Sequence, residues 1–208
     1  MKYILGTKQN MTQVFDENGT VYPVTLVSAG PVMVTSVKSK EKDGYEAVQL
    51  GYGKKSLNKA VKPVRGHLGK NLKEKATGFN VLKEWRPKDK AASLSVGDVV
   101  NLDSFAEGEK VTVSSISKGK GFQSVIKRHG FHGGPRSHGQ KHSERAPGSI
   151  GAGGRQGVIK GMRMAGRMGS DRITVRNLKI IQIDKDNNLL AIKGAIPGRR
   201  GTLVEIYS

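Results

Sequence analysis

The chain has 208 residues, of which 36% are hydrophobic and 25% are charged, a composition that allows a buried core and argues against wholesale disorder. Its 36 Lys and Arg residues outnumber its 17 Asp and Glu residues, and the formal net charge of +19 indicates a polyanionic partner. The absence of cysteine excludes disulfides and thiolate metal sites, and no apolar run approaches the ~18 residues that a membrane span needs.

The first fifty residues carry two hairpin patterns. MTQVF and VYPVTLVS flank DENG, where Asn18 and Gly19 both tolerate positive φ. PVMVTSVK and YEAVQLGYG follow, with Asp43 and Gly44 near the turn between them. Because these runs are rich in Val and Thr, which suit a half-buried pleated surface, we predict two β-hairpins.

Residues 54–76 are rich in lysine, and Pro63, Gly66 and Gly69 interrupt any long helical pattern. We therefore expect short helical turns and loop here, with a basic outer surface. Further strands are predicted in GFNVLKEW, VGDVVNL, KVTVSSIS, RITVRNLKIIQID, NLLAIKGAI and TLVEIYS. Many short strands at this spacing, with few helical patterns, predict a mostly β fold with an antiparallel barrel body.

Between residues 118 and 169 the strand pattern fails. This segment contains 14 of the chain's 28 glycines, and its 11 Lys and Arg residues face one acid, Glu144, which gives a local net charge of +10. Only GFQSVIKRH predicts a short helix, and we expect Phe122 to anchor it to the barrel. We therefore predict a body of residues 1–117 and 170–208 and a long irregular basic loop, 118–169, inserted into it.

Four of the five histidines lie in this loop, at spacings that also occur in metal sites. A metal site would need three or four ligands in fixed geometry, but Gly134, Pro135 and Gly139 argue against a helix that aligns them, and Glu144 is the only carboxylate of the loop. Ser149 stands in GSIG, which is not a nucleophile elbow, and GAGGRQG departs from the dinucleotide pattern. The chain is therefore predicted not to be an enzyme and to use no metal, cofactor or small-molecule substrate. A His-rich metal-binding module or metalloenzyme stays the alternative.

Binding to RNA accounts for more of these features than a metal site or an active site does. Lys and Arg neutralise phosphates, glycines let the backbone approach closely, and His, Arg or Phe131 could stack on unpaired bases. Stacking on a base is also the alternative to an anchoring role for Phe122. Met162, Met164 and Met168 fit either a small local core or packing on RNA. No helix-turn-helix, zinc-finger or basic-zipper pattern favours DNA. The predicted RNA-binding residues are Lys54, Lys55, Lys62, Arg65, His67, Lys118, Lys120, Lys127, Arg128, His129, His132, Arg136, His138, Lys141, His142, Arg145, Arg155, Lys160, Arg163 and Arg167.

Several long and specific stretches run in order from Met11 to Gly198. They include MTQVFDENG, EKDGYEAVQLGYG, NKAVKPVRGH, SKGKGFQSVIKRHGFHGGPRSHG, RAPGSIG, KGMRMAGRMGSDRITVRNL and NLLAIKGAIPG. Together they resemble bacterial members of one family, that of the third protein of the large ribosomal subunit. The resemblance implies a barrel of the translation-protein type and a cytoplasmic, ribosomal location. It also implies direct binding to large-subunit RNA near its 3′ end, a role in nucleating assembly, and contacts with neighbouring large-subunit proteins. The family's inserted loop, which reaches towards the peptidyl-transferase region, matches 118–169.

Two departures from the family pattern concern the same loop. Many bacterial members carry a methylated glutamine a few residues after GSIG, whereas here residues 152–155 follow and Gln156 comes slightly later, so the modification is not carried over. The family usually has two lysines where Met162 and Arg163 stand, so one positive charge is missing there.

Overall fold

The computed structural model describes residues 2–72, 77–86, 94–151, 153–154 and 156–208. It separates into two compact units, one comprising Met1–Ile116 with Ile173–Ser208 and the other Ser117–Arg172. Within the described ranges no helix is long and apolar enough to cross a membrane.

Strands dominate the described residues, which confirms the predicted mostly β class. The strands are β1 (Tyr3–Phe15), β2 (Val21–Ala29), β3 (Val32–Lys38), β4 (Ala47–Lys55), β5 (Gly78–Trp85), β6 (Val99–Val100), β7 (Lys110–Ile116), β8 (Gly121–Gln123), β9 (Gly166–Met168), β10 (Arg172–Asp184), β11 (Leu189–Lys193) and β12 (Leu203–Tyr207). The helices are α1 (Lys40–Asp43), α2 (Lys62–Leu72) and α3 (Val125–His129), with short 3₁₀ turns at Leu57–Lys59 and Leu102–Ser104.

Six antiparallel strands close a barrel in the order β1–β12–β7–β10–β11–β2. Aliphatic side chains of these strands, such as Ile4, Val113, Ile180 and Ile206, are fully buried. The predicted hairpins β1–β2 and β3–β4 are both present, and the observed β1 begins eight residues before the predicted strand. The barrel core is mostly aliphatic, with Tyr3 of β1 also fully buried.

The middle of the first unit forms a second sheet that the sequence did not separate from the barrel. Its order is β5–β4–β3–β6, with every pairing antiparallel. Trp85 of β5 stacks on Tyr3 of β1 with 4.4 Å between ring centroids and lies 5.2 Å from the ring of Tyr207 on β12. The Tyr52 hydroxyl of β4 donates a hydrogen bond to the Ser28 carbonyl oxygen (3.0 Å) of β2. Aromatic packing and hydrogen bonds thus join the sheet to the barrel wall.

The prediction of short turns over residues 54–76 is wrong for residues 62–72, which form the continuous 11-residue helix α2. Pro63 is tolerated because it lies in the first turn, where its missing N–H has no helical partner. Gly66 and Gly69 face open space and cost the helix about 1 kcal/mol each relative to alanine. Burial of Leu68 and Leu72 against Phe79 of β5 offsets that cost. Residues 73–76 lie outside the described residues.

Candidate nucleic-acid interface

The second unit begins and ends on a short antiparallel ladder, so the prediction that 118–169 lacks strands is wrong. In this ladder β8 pairs with β9, and Phe122 lies opposite Arg167. The Ser117 N–H donates to the Asp171 carbonyl oxygen (2.9 Å), and the Lys120 N–H donates to that of Met168 (3.0 Å). These bonds bring the two ends of the segment together.

The helix predicted in GFQSVIKRH is shorter than its pattern and occupies Val125–His129 as α3. Ser124 caps its N-terminus, because its Oγ accepts the Ile126 N–H (3.3 Å). Gly130, at φ 75°, ends the helix and donates its N–H to the Ile126 carbonyl oxygen (2.9 Å). The last turn holds Lys127, Arg128 and His129, which complement the negative end of the helix dipole. Cap residues therefore define this helix more strongly than apolar periodicity does.

Side chains of α3 hold the returning chain in place. Arg128 Nη1 donates to the Met164 carbonyl oxygen (2.7 Å), and His129 Nε2 lies 3.1 Å from the same oxygen. A carbonyl oxygen only accepts, so this contact requires the proton on Nε2. A Cβ at Gly166 would lie 2.8 Å from Arg128 Nη1, so a larger residue there would force the guanidinium to shift. Arg128, predicted to bind RNA, thus also has a structural role.

Glycines allow a second close crossing, between residues 133–134 and 143–144. The Gly134 N–H donates to the Glu144 carbonyl oxygen (3.0 Å). A Cβ at Gly133 would overlap that same oxygen and lie 2.8 Å from Cδ1 of Ile126. The Ser124 hydroxyl also donates to the Arg145 carbonyl oxygen (3.1 Å), so α3 fixes this segment as well.

A cavity of about 580 Å³ opens beside the C-terminal end of α3. Residues 129–134 form one wall, Ser143 and residues 146–148 form another, and Arg163 lies at the cavity as well. The Phe131 ring lies 6.2 Å from the His129 ring at an angle of 50°. Sequence reasoning proposed Phe131 as a stacking residue but could not reveal the cavity, because its walls come from three separate segments.

Most of the predicted RNA-binding residues of the second unit are exposed. The exposed ones are Lys118, Lys120, Lys127, Arg128, His132, Arg136, His138, Lys141, His142, Arg145, Lys160, Arg163 and Arg167. His129 is half-buried, and Arg155 lies outside the described residues. Arg136 Nε lies 2.6 Å from Glu144 Oε1, so the single carboxylate within 118–169 is already paired.

Apolar side chains of the second unit are more exposed than expected. Phe122 is 76% exposed, which contradicts the prediction that it anchors α3 to the barrel; it lies on β8, and Val125 is the buried residue of α3. Ile159, which sequence reasoning missed, is 72% exposed. Met162 and Met164 are exposed and Met168 is half-buried, so the first two do not form the small core that was one alternative.

The histidines are not arranged as a metal site within the described part of the chain, where no group of three or more His, Cys, Asp or Glu residues could hold a metal ion. His138 adopts a left-handed backbone conformation at φ 58°, followed by Gly139 at φ 79°, so a turn occupies the place of the helix that would align His138 with His142.

A second group of cations lies on the first unit. Lys54 and Lys55 end β4, and Lys62 and Arg65 lie on α2; all four are exposed. Lys59 and Lys70 are exposed in the same region and were missed by sequence reasoning. Arg65 Nη2 donates to the carbonyl oxygen of Asn58 (2.8 Å).

His67 differs from these cations. It is half-buried, and its Nε2 lies 2.8 Å from Gln49 Oε1 on β4. This contact ties α2 to the sheet. His67 therefore has a structural role in the contact between helix and sheet.

Comparison with known proteins identifies the family. The sequence model of Ribosomal protein L3 matches residues 87–191. The chain belongs to the ribosomal protein L3 family. It is 51% identical to "Large ribosomal subunit protein uL3" of Herpetosiphon aurantiacus over 98% of this chain and 94% of that protein. The proteins of the same name from Pelotomaculum thermopropionicum and Chlorobium limicola are each 46% identical, over 99% and 100% of this chain and 95% and 99% of their own lengths. Membership in a family of structural ribosomal proteins confirms the prediction that the chain is not an enzyme.

Proposed function

We propose that this chain is a structural constituent of the large ribosomal subunit in the cytoplasm and binds the subunit's RNA directly. The names of its relatives support the first part, and the charge distribution of the second unit supports the second. Residues 118–169 carry a net charge of +10, and their one carboxylate, Glu144, is paired with Arg136. Such a segment repels itself in isolation and is stabilised next to phosphates.

The backbone of the second unit supports the same function. Many of its glycines adopt positive φ, among them Gly148, Gly151 and Gly161, and a Cβ at any of these three would meet no neighbouring atom within 4 Å. Their positive φ alone favours glycine. The open space beside them is where an RNA backbone could approach the peptide closely.

The basic surface of the first unit, formed by Lys54, Lys55, Lys59, Lys62, Arg65 and Lys70, is proposed as a second RNA-binding surface. Two surfaces on one chain would let the protein bind separate RNA segments and favour their folding together, in line with a role in nucleating assembly near the 3′ end of the RNA. Neighbouring large-subunit proteins are the further proposed partners. The second unit is proposed to be the part that extends through the RNA towards the peptidyl-transferase centre.

Replacing residues 118–169 with a short linker tests this proposal. The hydrogen bond between Ser117 and Asp171 brings the ends together, so a short linker can span them. We expect the variant's barrel to stay folded while its affinity for a large-subunit RNA transcript falls steeply. The slope of log affinity against log salt should become shallower by roughly 0.7–0.9 for each phosphate that the variant no longer neutralises. Unchanged affinity and slope would show that the second unit does not bind RNA.

A matched control replaces the cations of the first unit's surface with glutamine and keeps residues 118–169. The proposal expects a smaller drop in affinity, because fewer cations are removed, and a footprint on a different RNA segment. If the affinity of this variant fell as far as that of the linker variant, the second unit would not be the principal RNA-binding part.

A further inference from the structure

The cavity beside α3 is shaped by segments that the protein itself holds in place. Gly130, which caps α3, leads into the wall that contains Phe131 and His132. The opposite wall, which contains Pro147, follows the chain fixed by Ser124 and Gly134. Hydrogen bonds within the protein therefore join the segments that form the walls of the cavity.

The chemistry of the walls suits one class of occupant. Phe131, His129 and His132 offer aromatic surfaces, and every nucleobase has a flat face that can stack on such rings. Because Nε2 of His129 lies 3.1 Å from the Met164 carbonyl oxygen, Nδ1 is the ring nitrogen that could contact a base.

The charge at the cavity also favours a nucleotide as the occupant. Arg163 is exposed and lines the cavity, and among the described lining residues there is no carboxylate to compete for it. A guanidinium with five N–H donors matches a phosphate group well. A volume of about 580 Å³ lies within the range of about 300–1,000 Å³ typical of pockets that hold a group of nucleotide size.

We propose that this cavity receives a single unstacked nucleotide of the large-subunit RNA, with its base against Phe131 and the imidazole rings and its phosphate at Arg163. The inference rests on the proposed function and makes it specific. If the cavity binds one nucleotide, the second unit has one defined position on the RNA as well as groups along its length that bind phosphates. Insertion of one base would tie the arm to one particular nucleotide, because phosphate contacts position a protein on a nucleic acid but carry no sequence information.

The test uses the full-length chain bound to a transcript of the large-subunit RNA, without other proteins. Reagents that modify unpaired bases and flexible riboses report each nucleotide, and filter binding gives the affinity. Wild type should protect one unpaired nucleotide strongly. Phe131→Ala should restore reactivity at that nucleotide, leave most of the footprint, and lower the affinity roughly 5- to 150-fold, the range expected for removal of one base–aromatic stack.

Phe131→Leu and Arg163→Gln keep the test decisive if Phe131→Ala disturbs folding. The first retains apolar volume without an aromatic face, and the second removes the cation from an exposed side chain. Phe122→Leu is the matched control, since Phe122 is an exposed aromatic residue of the same unit that does not line the cavity. It should leave protection of that nucleotide intact.

The outcomes separate this inference from the proposed function. If wild type protects no part of the RNA, RNA binding itself is wrong. If wild type leaves a footprint that neither Phe131 variant alters, RNA binding stands and the nucleotide pocket is overturned. The pocket is equally overturned if Phe122→Leu removes the same protection, or if the Phe131 variants matter only when other large-subunit proteins are added, which would indicate a protein side chain in the cavity.

Discussion

The two units of this chain obtain their order from different interactions. The first unit contains a hydrophobic cluster of 20 buried residues, supplied by the barrel, the second sheet and their connections. In the described part of 117–172, Val125 is the one buried hydrophobic residue, and order there depends on caps, main-chain hydrogen bonds and close glycine crossings. The first unit therefore has a stability of its own, whereas the second is shaped by few and mostly polar interactions.

This difference follows from the composition of the two units. A hydrophobic core needs many large apolar side chains, and residues 118–169 are rich in glycine and cations instead. Such a composition cannot bury enough apolar surface to offset the entropy of ordering a long chain. RNA phosphates would supply the missing stabilisation, so we expect the second unit to gain much of its final rigidity on binding.

Substitutions of buried residues should give the largest difference in stability between the two units. Ile206 is fully buried in the barrel, and Ile206→Ala should lower the free energy of unfolding by about 2–5 kcal/mol in urea denaturation. Val125→Ala, in the second unit, should leave that transition unchanged and weaken RNA binding. Equal decreases in stability from both variants would contradict the separation.

A glycine substitution tests the close crossings of the second unit. Gly133→Ala places a Cβ against the Glu144 carbonyl oxygen at φ 80°, so overpacking of about 1–3 kcal/mol adds to the backbone strain. We expect faster amide exchange in the second unit, lower RNA affinity and an unchanged barrel transition. Gly139→Ala is the matched control, because its φ is 79° but its Cβ meets no atom within 4 Å. It should have the smaller effect, and equal effects would mean that strain alone matters.

A single charge substitution tests whether phosphate binding is distributed over the second unit. Lys127 is exposed in the last turn of α3, and Lys127→Gln should reduce the salt slope of RNA binding by about 0.7–0.9 without altering stability. Lys185→Gln removes an exposed cation of the first unit whose Nζ lies 3.0 Å from Asp103 Oδ1. This control should leave the slope unchanged, and a slope that changed equally in both variants would point to net charge rather than to a local interaction.

Much of the first unit could be predicted from its sequence, because hairpin turns and strand patterns are local signals. Asn18-Gly19 and Asp43-Gly44 each lie between strands that pair in the structure. The division into a barrel and a separate sheet could not be predicted, since it depends on which strands pair over long distances. Helix α2 was missed because Gly66 and Gly69 disfavour a helix locally. Burial of Leu68 and Leu72 against Phe79 stabilises the helix nevertheless, and this packing cannot be read from the local sequence.

For the second unit, the overall character could be predicted from the sequence but the local structure could not. Composition alone marked residues 118–169 as a basic, glycine-rich segment, and most of its predicted cations are exposed. Its internal geometry could not be predicted, because the β8–β9 ladder and the cavity bring together residues more than 30 positions apart, such as Phe131 and Arg163. The placement of Phe122 was wrong for the same reason: an apolar residue predicts burial, and only the structure shows which side of the ladder is covered.

The smallest expected effect concerns the carboxylates of the two units. Burial alone would raise the pKa of Glu109, but hydrogen bonds from Lys2 (2.5 Å), Ser208 and the Ala106 N–H hold that pKa below its usual range. A lowered folded-state pKa stabilises the protein above the unfolded value of 4.5 and ceases to do so as pH falls through the folded value. Wild type should therefore unfold at a higher temperature than Glu109→Gln at pH 7, and this difference in unfolding temperature should disappear below about pH 4.5.

The control is Glu144→Gln, which should leave the barrel transition unchanged at either pH. The exposed pair of Glu144 with Arg136 belongs to the second unit, and such pairs contribute about 0–1 kcal/mol. A pH-dependent shift of the barrel transition in Glu144→Gln would show that the second unit contributes to the stability of the first.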